Sequence, residues 1–129
     1  MSVSPKWKDD RKTTIVVSYQ SPWTWKEFQE AALATNALMN SVDYDVVLIQ
    51  DTSHGSMLPP GNIVGHGNTA ITNFPGNLAL IVVVVNSTLV RTFLSLVTGM
   101  NPGGRAGIIK TAPTLEKAFV IAEEALLKT

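Results

Sequence analysis

Hydrophobic and polar positions change period several times along the chain, and each change marks an element. The longest apolar segment, Leu78 to Thr98, has an unbroken run to Val85, a polar break at Asn86-Ser87-Thr88, and then apolar residues at helical spacing. This pattern predicts a buried central strand feeding a helix that Asn86 or Ser87 caps and Gly99 stops. The buried face of that helix is Leu89, Val90, Phe93, Leu94, Leu96 and Val97. The segment is long enough to cross a bilayer, but Asn86, Ser87, Thr88 and Arg91 fall near its middle. An arginine there costs about 2.5–3.5 kcal/mol, and four consecutive valines favour a strand.

Upstream, Lys6-Trp7-Lys8 alternates as a short edge strand does, Asp9-Asp10 supplies turn chemistry, and Thr13 to Tyr19 is rich in β-branched residues, so a hairpin is expected. Thr24-Trp25-Lys26-Glu27 matches a capping box, with Trp23 and Phe28 at the positions of a hydrophobic staple. A helix therefore starts at Trp25 and ends near Ser41, burying Trp25, Phe28, Ala32, Thr35, Met39 and Val42. Val46 to Ile49, extending to Asp51, is the next strand. Pro59-Pro60-Gly61 interrupts regular structure, and a weaker helical pattern runs from Asn62 to Phe74. After the turn at Pro75-Gly76-Asn77 and the long apolar segment come a loop at Asn101 to Gly104 and a last strand at Ala106 to Lys110. Thr114 then caps a helix whose stripe is Leu115, Ala118, Phe119, Ala122, Ala125 and Leu126.

Strand and helix thus alternate after a leading strand. The expected architecture is a single α/β domain over residues 1–129, with residues 1–12 as an N-terminal arm or edge strand. Its sheet has about five strands, mostly parallel with the first antiparallel at the edge, and about four helices cover it.

Composition narrows the function. The chain has 129 residues, 45% of them hydrophobic, which suffices for one core, and its formal net charge of +0 argues against nucleic acid and anionic membranes as partners. With no cysteine there is no disulfide, thiolate metal site or cysteine nucleophile. The N-terminal residues lack the apolar core of a secretory signal, so a cytoplasmic location is the default expectation.

The element order, the strand ending in Asn86-Ser87, and the following Leu89-Val90-Arg91-Thr92-Phe93-Leu94 resemble a STAS-type domain, the fold of bacterial anti-sigma factor antagonists. The final strand, the Pro113-Thr114 turn and the alanine-rich helix are also similar to it. The resemblance spans Lys12 onward and implies a non-enzymatic regulatory domain that works by protein contact. The family's phosphorylation switch uses a Ser or Thr at the start of the helix after the third strand. Met57-Leu58-Pro59-Pro60-Gly61 stands there instead, so Ser53 and Ser56, which lie upstream, do not take over the phosphoacceptor role. The chain resembles the STAS-like variants that lack the switch.

In an open parallel sheet, ligands gather outside the carboxyl ends of the strands. Ser21, Asp51, Ser53, His54, Ser56, Asn86, Ser87 and Thr111 fall at those ends and form the candidate ligand or partner site, although each is also a residue type that caps helices and completes turns. Asp51, His54 and a serine have the residue types of a hydrolase triad, but crowding them into one short loop opposes triad geometry, and no nucleophile-elbow motif is present. His54, His66 and Asp51 match no metal-ligand spacing, so no metal or cofactor is expected. From Thr52 through Val90 there is no Asp, Glu, Lys or Arg. That depletion makes Asn62, Gly65, His66 and Asn68 candidates for a homodimer or partner interface. A partner-binding domain is the leading expectation. The alternative is a small-molecule or lipid sensor using the strand-end edge or an apolar cleft beneath Trp23 and Trp25, followed by a small hydrolase.

Overall fold

A computed structural model describes residues 2–54, 61, 65, 73–85 and 109–127. These residues form β1 (Val3–Trp7), β2 (Thr14–Gln20), α1 (Trp25–Asn40), β3 (Val46–His54), β4 (Leu78–Val84), β5 (Ile109–Ala112) and α2 (Leu115–Leu127). The five strands lie side by side in chain order, with β1 antiparallel to β2 and every other neighbouring pair parallel. The α/β class and the mixed sheet match the sequence pattern. Among the described residues there are two helices rather than four. The helix expected after Ser87 lies outside them, and of the one expected from Asn62 to Phe74 only Gly65, Asn73 and Phe74 are described.

The side-chain period of two sorts the strands into two cores. Ile15, Val17 and Tyr19 of β2, Val46 and Leu48 of β3, and Ile81 and Val83 of β4 face α1 with Trp23, Trp25, Ala31 and Met39. Val16, Val47, Ile49, Leu80, Val82 and Val84 face the opposite way and meet Ala118 and Ala122 of α2. Leu78 and Leu80 belong to different faces although they are two apart, because the β3–β4 register slips by one residue at Val46/Val47. A second slip, between the Ser18–Asp51 and Gln20–His54 pairs, inserts one residue near the end of β3.

Helix α1 starts where its capping box requires. The Thr24 hydroxyl accepts from the Glu27 N–H at 3.1 Å, and the Thr24 N–H donates to Glu27 Oε1 at 3.1 Å. Glu27 Oε2 also accepts from the Ser2 N–H at 3.3 Å, tying the chain entering β1 to the start of the helix. Tyr19, Trp23, Trp25 and Phe28 pack ring against ring, with adjacent centroids 5.1–6.2 Å apart, and both tryptophans are buried.

Helix α2 lies diagonally. It begins directly after β5, at the carboxyl end of the strands, with Thr114 Oγ1 accepting from the Lys117 N–H at 3.2 Å. Further along, Glu123 pairs with Lys8 and Arg11 at the β1–β2 turn, beside the amino end of β2. Its 13 residues span roughly 20 Å, while β5 and β2 are about 14 Å apart across the sheet. The helix therefore packs on β5, β4 and β3 and does not extend to the corner where the carboxyl end of β2 meets the amino end of β1.

Candidate functional site

That corner holds an open pocket of about 330 Å³, lined among the described residues by Ser2, Ser4, Ser18, Tyr19, Gln20, Asp51 and His54. Its polar character follows from alternation. Val3, Val17 and Tyr19 turn inward beneath α1, so their neighbours Ser2, Ser4, Ser18 and Gln20 turn to the α2 side, beyond the reach of α2. In a regular strand Asp51 and His54 would face opposite ways. The extra residue near the end of β3 lets both line the same pocket.

Asp51 is the best-defined group in the corner. Only 9% of it is exposed, and its Oδ1 accepts from the Ser53 N–H at 3.1 Å and the Ser53 hydroxyl at 2.6 Å. Neighbouring Thr52 donates its hydroxyl to the Val84 carbonyl, which fixes the end of β3 against β4. Among the described lining residues the Asp51 carboxylate is the one formal charge, with no lysine or arginine beside it.

The structure groups the expected site residues unevenly. Asp51 and His54 line the pocket. Ser53 supports Asp51 from alongside, and the Ser21 N–H donates to the His54 carbonyl at 2.9 Å, while the Ser21 hydroxyl is buried without a hydrogen-bond partner. Thr111 is exposed on β5, shares the α1-side alternation of Ile109, and is separated from β3 by β4, so it stands apart from Asp51. Ser56, Asn86 and Ser87 lie outside the described residues, as do Asn62, His66 and Asn68 of the expected interface. Gly65 is half-buried.

Ser2, Ser4 and Ser18 are additions that the strand-end argument misses. The alternation Ser2-Val3-Ser4 is their signal in the sequence, and it becomes legible once Val3 is paired with Tyr19.

The arrangement suits recognition better than reaction. A hydrolase triad needs a base between acid and hydroxyl, whereas Asp51 bonds the Ser53 hydroxyl directly. Among the described residues no group of three His, Cys, Asp or Glu side chains can hold a metal ion. Nor is any described helix long and apolar enough to cross a membrane. Beside the aromatic cluster, the space lined by Tyr19, Phe28, Thr35, Gln50 and Phe74 is only about 10 Å³, room for one water at most.

The fold and this corner together define an α/β domain with an open polar pocket at its strand ends. Comparison with protein-family models, with curated proteins and with solved structures finds no match to the chain.

Proposed function

We propose that the chain is a non-enzymatic, STAS-like regulatory domain that binds a protein partner, or a second copy of itself, at the corner where the carboxyl ends of β2 and β3 meet the amino end of β1. The observation that carries this reading is the Asp51 carboxylate, braced by Ser53 and lining an open pocket that neither described helix covers. The order of elements, with an antiparallel edge strand and a closing helix on the face opposite α1, is in keeping with the STAS-like resemblance. The segment from Thr52 to Val90, which begins at this same corner, carries no charged residue, and a stretch without charges desolvates cheaply.

Affinity capture from the cell of origin, run with the wild-type chain and Asp51→Ala in parallel, tests the reading. A partner held by the wild type and lost by the variant is expected. Equal recovery by both chains, or no specific recovery together with a monomer in sedimentation velocity, contradicts it.

The pocket volume favours a second reading, a sensor for a small polar molecule at the same corner. At about 330 Å³ it stands at the lower end of ligand-site sizes.

A further inference from the structure

We infer that this pocket is a cation subsite, built to take an ammonium or guanidinium head group against Asp51. The inference deepens the recognition reading by assigning the chemistry of what enters the corner. It rests on that reading for the location alone.

The argument starts from the unequal state of the two Asp51 oxygens. Oδ1 is satisfied twice over by Ser53, which fixes the plane of the carboxylate. Oδ2 has no protein partner among the described residues, although the residue is nine-tenths buried. That oxygen is the one left to the open pocket, and a carboxylate held this way gains most from a charged donor, because charge-assisted hydrogen bonds are about twice as strong as neutral ones. The rest of the lining completes the preference. Ser2 and Ser18 supply hydroxyls and Gln20 an amide, groups that accept as readily as they donate and so suit the remaining N–H protons of the same head group. Among the described lining residues no lysine or arginine competes for the carboxylate or would hold an anion beside it. The pocket is open on one side, so the head group can arrive on a free amine or on the side chain of a partner's lysine or arginine.

Amide chemical-shift titrations test this with n-butylammonium and n-butylguanidinium, set against n-butanol and butyrate as neutral and anionic controls. The cations are expected to shift the resonances of Ser4, Ser18, Gln20 and His54 saturably, and the controls to leave them in place. Asp51→Asn should weaken cation binding by about ten- to a hundredfold, the scale of one charge-assisted hydrogen bond. Because that change touches a buried group, Gln20→Lys provides the second variant. Gln20 is exposed, so the fold is kept while a tethered ammonium is offered to Asp51, and cation binding should vanish without a fall in the melting temperature. A Gly-Lys-Gly peptide that binds more tightly than n-butylammonium points to a partner side chain, and equal or weaker binding points to a free amine. Equal shifts from butanol or butyrate, no shift at all, or undiminished cation binding by Gln20→Lys overturns the inference. A chain that ignores the cations yet loses its captured partner on Asp51→Ala would refute the cation subsite and leave the recognition surface standing.

Discussion

Single residues at the amino end of the sheet hold the β1–β2 turn by means a sequence does not display. Lys12 has φ 55°, a left-handed conformation unusual for a residue with a side chain, and Lys12 and Arg11 offer their carbonyls to the Tyr44 hydroxyl at 3.0 and 3.3 Å. Tyr44→Phe removes both bonds, and a loss of about 1 kcal/mol is expected in denaturant unfolding. Lys12→Gly should instead match or slightly exceed the wild type, since glycine adopts this conformation without a Cβ penalty. Asp51 and His54 are legible as candidates because they follow a valine-rich run into polar residues. The bond from the Ser53 hydroxyl to Asp51, which decides against a triad, is visible only in three dimensions.

The ionic strap at the same turn also acts residue by residue. Hydrogen bonding from the Arg11 side chain holds the Asp9 and Glu123 carboxyls below the ordinary carboxylate range, with its positive charge adding to the effect. A depressed carboxyl contributes stability that is complete above its unfolded pKa and is lost as pH falls through the lowered folded value. All three groups are largely exposed to solvent, so the contribution is small and screened by salt. Melting temperatures of wild type and Arg11→Ala should therefore differ slightly at neutral pH and converge in acid or in high salt. A gap that widens in acid would contradict this assignment.

At the scale of elements, local signals were legible and pairing signals were not. The Thr24 capping box, the start of α1 at Trp25 and the α2 stripe all stand where short-range spacing puts them. The extent of β1 does not. Lys6-Trp7-Lys8 suggests a short edge strand, whereas the strand is Val3–Trp7, because its register against β2 is set by long-range pairing such as Val3 with Tyr19. Strand β3 likewise runs past Asp51 to His54, the added length being stitched by the Thr52 bond to Val84 and the Ser21 bond to His54. The last strand ends at Ala112 rather than Lys110, carried on by pairing of Thr111 and Ala112 with β4. Close approach of α2 depends on small residues, since Ala118 and Ala122 are fully buried against the sheet. Ala118→Leu overfills that contact, and a loss of about 1–3 kcal/mol in chemical unfolding is expected. A variant as stable as the wild type would show that α2 rests more loosely than described.

At the scale of the molecule, the site is a consequence of layout. Two half-cores satisfy the two faces of one sheet, and a diagonal α2 covers one of those faces incompletely. Beyond the reach of α2 lies the corner where polar alternation on β1 and β2 meets the bulged end of β3. Other exposed apolar residues, Leu33 on α1 and Val120 and Leu127 on α2, are scattered over the outer helical surfaces rather than gathered at the corner. The account's central claim is thus a location, and hydroxyl-radical footprinting of the chain with and without its bound partner measures it directly. The prediction is that exposed His54 loses reactivity in the complex while Leu33, Val120 and Leu127 keep theirs. Protection of Leu33 or of Val120 and Leu127, with His54 as reactive as in the free chain, would contradict it.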